Sequence, residues 1–325
     1  MKNKLTYLLL FLATAIQAGN IAEAEDSLLS ISKKMRISDM DDESKFHLND
    51  DFQKYFQKTL EESESFKYNF KKLDLVSQLT APDGKFKIFT WMLTNSNGMN
   101  IYFGFTQFYN KKAKRTIVHR LNDSEKGVDF YSEYNDSTWY GILYYDIVPI
   151  KKKSDTCYIL LGWDGNDWLS KKRIVEPISF NSQGKPTFGA AIFQENEEVP
   201  MVKVKRNAPP INTSIKRTKE ERAKLRLVFE HSAQTSMSLK YNTQLKMIVF
   251  DHLIPSDDRY KGIYAFYAPD FSYDALQYKS GKWYYKKNVD ARNPRENKIK
   301  IDVPSLKKDK NKKQEVDPVP DNNLY

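Results

Sequence analysis

Two short stretches of the chain echo one another. Leu227-Val228-Phe229-Glu230-His231 and Ile248-Val249-Phe250-Asp251-His252 both run apolar, Val, Phe, acid, His. Imidazole beside carboxylate is the chemistry of a zinc or hydrolytic site, where one group activates water and another orients it. Further carboxylates follow at Asp257, Asp258, Asp270 and Asp274. His231 and His252 are therefore the candidate metal ligands, and Asp251, Asp270 and Asp274 the candidate catalytic groups. If both stretches are strands of one meander, both histidines can sit on one face. Each His, however, shares strand parity with the Phe two residues earlier, while its neighbouring acid points the other way. Such a pair cannot hold one metal without a bulge. The parity suits a histidine in the core or at a sheet rim, and the expectation is no metal and no cofactor.

Three other groupings invite a functional reading. Asp270 and Asp274, with Tyr267, Phe271, Tyr273 and Trp283, could line a sugar site, because paired carboxylates divide acid and base roles and aromatic faces stack on sugar rings. Pro269-Asp270 also starts a turn. Asp164-x-Asn166 has alternating oxygen ligands like a calcium loop, but Trp168 takes the next position and no bidentate Glu follows at the EF-hand distance. A hairpin turn with Trp163 and Trp168 at its shoulders accounts for it. Trp163, Trp168, Tyr267, Tyr273 and Trp283 are thus the candidate binding aromatics. Trp283-Tyr284-Tyr285-Lys286-Lys287 interleaves rings and lysines as single-strand binders do. An edge strand guarded by lysines is the simpler account, so no nucleic acid is expected. G-x-S-x-G, a phosphate-binding glycine loop and H-E-x-x-H are all missing.

The elements that position these residues are mostly strands. From Phe66 onward the hydrophobic period is two, with turn signals every eight to twelve residues and no alternating helices. Ala81-Pro82-Asp83-Gly84 and Asn95–Gly98 are turns. Between them Phe86, Ile88 and Thr90 face one way, and Lys87, Phe89 and Trp91 the other. Tyr158–Phe193 reads as a three-strand meander. Arg226–Ser232, Met237–Tyr241 and Leu245–Leu253 read as a second. Upstream, Asn49 is a good N-cap, and Phe52, Tyr55, Phe56 and Leu60 make one helical face. The spacing predicts an amphipathic helix over Asp50–Glu64 that lies against the β-domain.

The 325 residues divide into a signal peptide (1–24), a helical segment (25–65), a β-domain (66–293) and a disordered basic tail (294–325). Lys2 and Lys4 precede the apolar Leu5–Ile16, with Ile16-Gln17-Ala18 and Ala22-Glu23-Ala24 as cleavage candidates. That apolar run is short for a bilayer span, and no later stretch is apolar enough for a membrane helix. The net charge of +10 favours anionic partners, although lysines scattered over a surface also keep an exported protein soluble. Cys157 is the only cysteine. It allows no intrachain disulfide, and its neighbours Tyr158-Ile159-Leu160 make it a buried strand thiol.

Several stretches together resemble a group of exported β-rich proteins of Bacteroidota to which no function is assigned. They are Trp139-Tyr140-Gly141, Leu160–Gly165, Phe188-Gly189, Ile248–Pro255, Tyr267–Asp274, Gly281-Lys282-Trp283 and Asn288–Asn293. The resemblance covers roughly residues 66 to 293. It implies export and one contiguous β-domain, and it brings no catalytic residue. The single Ala-Pro-Asp-Gly-Lys hairpin is similar to the Ser-Pro-Asp-Gly-Lys turn of TolB-type and WD-repeat propellers.

The expected fold is mainly β, built of antiparallel meanders and propeller-like, with a two-sheet β-sandwich as the alternative and an amphipathic helix in front. The expected function is that of an exported, non-enzymatic binding or envelope-associated protein, periplasmic, surface-exposed or secreted. Its partner would be a glycan or another envelope protein, with the basic tail reaching an anionic surface. The alternative is a hydrolase, glycan-directed, with a carboxylate/His site between Glu230 and Asp274.

Overall fold

In the computed structural model the described residues are 21–37, 39–110, 113, 115–124, 127–150, 157–194 and 223–291. The apolar start of the chain, the Gln194–Ile215 excursion beyond Gln194 and the basic tail lie outside them. Residues 21–34 are helical (α1), and α2 spans Asp42–Glu61. Then comes a four-stranded sheet 1 of consecutive strands: β1 (Ser77–Thr80), β2 (Phe86–Thr94), β3 (Asn100–Asn110) and β4 (Arg115–Asn122). Sheet 2 holds β5 (Tyr134–Asn135), β6 (Leu143–Ile150), β7 (Cys157–Asp164), β8 (Ser170–Phe180) and β9 (Pro186–Phe188), with β11 (Leu227–Ser232) added on β8. Sheet 3 orders β10 (Phe193–Gln194), β15 (Lys282–Lys286), β14 (Tyr267–Lys279), β13 (Met247–Pro255) and β12 (Leu239–Asn242). Among the described residues the named strands pair antiparallel except for the two-residue β10–β15 contact, and one isolated bridge, Asp123 to Trp139, is parallel. Among the described residues the sheets close neither a barrel nor a propeller ring.

The layers follow from strand parity. On β2, Phe86 and Ile88 pack toward sheet 2, while Phe89, Trp91 and Leu93 pack toward the helices. On β7, Tyr158 and Leu160 face sheet 1, and Cys157, Ile159 and Leu161 face sheet 3. Sheets 1 and 2 are therefore covered on both sides, which is why their strands read as nearly continuous apolar runs. Helix α2 contributes Phe52, Phe56 and Leu60, the face its spacing predicts. Phe56 alone meets Phe70, Phe89 and Phe105 edge-on at 5.3–5.8 Å.

Several boundaries differ from the sequence reading. The N-cap of α2 is Asp41, whose carboxylate accepts the Ser44 N–H at 2.8 Å. Asn49 lies inside the helix, which begins about two turns earlier than its spacing predicts, and accepts the Trp91 indole N–H at 2.8 Å. Ile21 and Ala24 are buried in α1, so the helical segment begins before residue 25. The stretch Pro186–Phe193 splits between sheets 2 and 3, because Gly189 turns the chain with φ +100°. The second meander loses its first strand, since β11 pairs with β8 instead of β12. Finally, β15 lies between β14 and β10, so it is not the lysine-guarded edge its composition suggested.

Candidate functional site

The β7–β8 hairpin is fixed by a carboxylate at its base. Asp164 accepts the Tyr102 hydroxyl at 2.8 Å, the Tyr140 hydroxyl at 2.5 Å and the Asn166 N–H at 2.7 Å. Tyr102 in turn accepts the Gly165 N–H at 2.8 Å. Burial first, and the Asp164 charge second, push both phenols far above their ordinary range. They stay protonated and act as donors, not as nucleophiles. Lys172 donates to Asn166 Oδ1 at 2.6 Å, the Asn166 amide donates to Ser170 Oγ at 2.8 Å, and Ser170 donates to Glu230 at 2.5 Å. At the tip, Asp167 Oδ1 accepts the N–H groups of Leu169 and Ser170, both at 2.8 Å. Asp164 is engaged by two hydroxyls and the turn, and Asp167 by the N–H groups of the tip.

What this pinned loop presents is Trp168, 78% exposed, followed by exposed Leu169. Both line a groove of about 350 Å³. Phe266 and Tyr267, where the chain leaves a 3-10 turn for β14, line it as well, and Ser232, Gln234, Thr235 and Ser256 supply hydroxyl and amide groups. None of the lining residues is charged. Sequence reasoning found Trp168 and Tyr267, but it missed Phe266 and the polar residues. They come together only because β11 joins sheet 2 and runs past β14, a juxtaposition with no local signal.

The other candidate binding aromatics do not line this groove. Trp163 is half-buried on β7, opposite Leu143 and Arg173. Tyr273 stands partly exposed on β14. Trp283 is a correction: at 2% exposure it sits in the core between sheets 2 and 3. Its alternation with Tyr284 put the larger ring on the inner face.

The histidines also separate. His231 belongs to sheet 2 and His252 to sheet 3. His231 is buried, with Nδ1 2.9 Å from the Ser232 carbonyl and 3.2 Å from Thr235 Oγ1. Burial, above all, lowers its pKa, so it is a neutral core imidazole bracing the Ser232–Thr235 turn. His252 occupies a bulge between Asp251 and Leu253, and its Nδ1 lies 2.7 Å from Asp274 Oδ2. Asp274 is buried and also accepts the Tyr285 hydroxyl and the Asn288 N–H. Asp251 is occupied with the Ser238 N–H at 2.8 Å. Asp270 takes the Ser272 N–H and hydroxyl at 2.9 and 2.7 Å, which hold its carboxyl below the usual range. Among the described residues no three His, Cys, Asp or Glu side chains converge to hold a metal, and the two histidines stand on different sheets.

Also among the described residues, no helix is long and apolar enough to cross a membrane. Comparison with family models, with curated proteins and with solved structures returns no match.

Proposed function

We propose that this is an exported binding protein, not an enzyme, whose ligand is a neutral glycan held in the Trp168 groove. One observation carries the reading: an exposed tryptophan lines one groove with Phe266 and Tyr267, and the other lining groups are hydroxyls, an amide and apolar side chains. Aromatic faces stack on the C–H faces of sugar rings, while hydroxyl and amide groups meet sugar hydroxyls. A lining without charge favours an uncharged ligand over an anionic one. No titratable acid–base pair lines the groove, which favours binding over turnover. Export is supported by the Lys2/Lys4 start and the apolar Leu5–Ile16. For the architecture, three sheets exceed a two-sheet sandwich, and successive antiparallel meanders are what supports the propeller-like reading.

The test is a titration of the full chain with soluble cello-, xylo- and manno-oligosaccharides, read by tryptophan emission. At least one series should quench or shift the emission, and Trp168→Ala should abolish the response. Silence in all three, or an unchanged response in the variant, sinks the reading.

The His252–Asp274 contact supports a second reading, a hydrolase in which Asp274 orients His252 as general base. Under it, the same oligosaccharides are cleaved, and His252→Ala stops cleavage without unfolding the chain. Intact sugars after prolonged incubation remove it.

A further inference from the structure

Trp168 does not stand free in solvent. Its indole lies on Gly98, in the turn between β2 and β3. A Cβ built on Gly98 would fall 2.0 Å from Trp168 Cζ2, 2.5 Å from Cε2 and 2.9 Å from Nε1. The Cζ2–Cε2–Nε1 side of the ring therefore rests on bare backbone, and the indole remains largely exposed. The turn beneath is closed by Asn95 N–H to Met99 O and Gly98 N–H to Asn95 O, both 2.9 Å. Asn95 Oδ1 also accepts the N–H groups of Asn97 and Met99 at 3.1 and 2.8 Å. On its far side the turn is held by helix α2. The Asp42 carboxylate accepts the Ser96 N–H at 2.9 Å and the Ser96 hydroxyl at 2.6 Å, and Lys45 Nζ donates to Thr94 O at 3.2 Å.

A stacking ring serves best when its plane is fixed before the ligand arrives, because the ordering cost is then already met. Two independent sets of bonds fix this one. Asp167 holds the backbone that carries Trp168, and the Asp42–Ser96 contact holds the surface on which its ring lies. We propose that Gly98 is a positioning residue of the groove: the β2–β3 turn, anchored by α2, is the platform that sets the Trp168 ring for stacking. The proposal rests on the groove being the binding site, and it assigns to the helical segment a part in shaping that site. It also explains a glycine where φ +76° would equally admit asparagine: any side chain would displace the ring.

Gly84 provides the control. It too is a turn glycine, with φ +64°, but a Cβ there meets nothing within 4 Å. Gly84→Ala and Gly98→Ala thus share the backbone penalty and differ in the ring. The readout is acrylamide quenching of Trp168, taken as the difference between each chain and its Trp168→Phe counterpart. It needs no ligand. Trp91, Trp139 and Trp283 are buried and Trp163 is half-buried, so subtracting the Trp168→Phe chain removes their common signal and leaves that of the exposed ring. Gly98→Ala should raise the quenching constant and shift the emission, and Gly84→Ala should do neither. Asp42→Asn, which keeps the glycine, should move quenching the same way by less. Equal quenching in Gly98→Ala and Gly84→Ala overturns the proposal. If an oligosaccharide binds the native chain and Gly98→Ala binds it as tightly, the positioning role falls while the groove stands. If quenching separates the two variants and no sugar binds, the platform stands and the glycan reading falls.

Discussion

The two faces of sheet 2 are built on different principles. Toward sheet 1, the core mixes rings with a buried polar seam: Tyr144 donates to Glu176 at 2.5 Å, and Arg226 Nε donates to the other Glu176 oxygen at 2.7 Å. The Glu176 and Arg226 side chains are wholly buried. Arg226 also donates to the carbonyls of Asp129, Ser132 and Phe188, and its guanidinium lies 4.2 Å from the Tyr134 ring centre. Toward sheet 3, Val148, Ile150, Ile159, Leu161 and Val175 meet Met237, Leu239, Ile248, Phe250 and Leu276. An apolar interface tolerates sliding and partial loss. A buried ion pair is satisfied in one arrangement and costly in others, so the seam fixes how β6, β8, β9 and the Asp129–Ser132 loop meet on that face of sheet 2.

The largest effect expected is therefore in the seam. Arg226→Met leaves the Glu176 carboxylate buried with only Tyr144 as donor, and should cost about 3–5 kcal/mol in urea unfolding. Adding Glu176→Gln to that chain should recover part of the loss, because no uncompensated charge remains. A single-variant cost below about 1 kcal/mol would mean the seam is no more demanding than an apolar contact. On the other face, Ile159→Ala should cost about 3 kcal/mol and Ile159→Val about 1 kcal/mol. A graded series there beside an all-or-none response at Arg226 is the contrast in measurable form.

The same contrast explains what the sequence made legible. Alternation and turn chemistry revealed the strands, since Pro82-Asp83-Gly84 and Asn95–Gly98 encode their turns locally. The Phe52, Phe56 and Leu60 face was equally plain, because helical period needs no knowledge of the partner. Sheet membership was not. β11 pairs with Ser170–Val175 of β8 across more than fifty residues of chain, and closing a long loop costs little more than closing a short one, so nothing local forbids either sheet. That one pairing separated His231 from His252 and brought Ser232, Gln234 and Thr235 to Trp168. Arg226 reads as one basic residue among many until Glu176 and three carbonyls are seen around it. Trp283 misled because Trp, Tyr and Tyr in a row offer two faces of nearly equal hydrophobicity.

A second buried cation sharpens the comparison. Lys87, 3% exposed on the helix side of sheet 1, donates to the Tyr68 carbonyl at 2.7 Å and lies 5.8 Å from the Phe66 ring centre. Burial pulls its pKa down from 10.5 to about 8. With the folded value depressed, the unfolded chain binds more protons between pH 8 and 10.5, so this residue makes stability rise with pH across that window. The gain from pH 7 to 10 should be about 2.5 kcal/mol. Lys87→Met should be more stable than the native chain at pH 7 and should lack this rise. An identical pH dependence in the two chains would mean that Lys87 keeps its charge on the cheap, as Arg226 does through Glu176.

The smallest effect separates the two faces in time. Cys157 is buried at the sheet 2–sheet 3 interface, and Cys157→Ala should cost about 1 kcal/mol, the loss of one small apolar contact. Its thiol is more useful as a clock. A buried thiol reacts with a bulky disulfide reagent only when its surroundings open, so the native labelling rate measures the opening of the apolar face. If the two faces open independently, Arg226→Met lowers global stability and leaves slow labelling near the native rate, provided the reaction is followed well below the urea midpoint. If they open together, labelling accelerates in proportion to the lost stability. Independent opening is the expected result. The seam lies on the opposite face of sheet 2, and Ile159, Leu161 and Val175 keep their contacts with sheet 3 when Arg226 is gone.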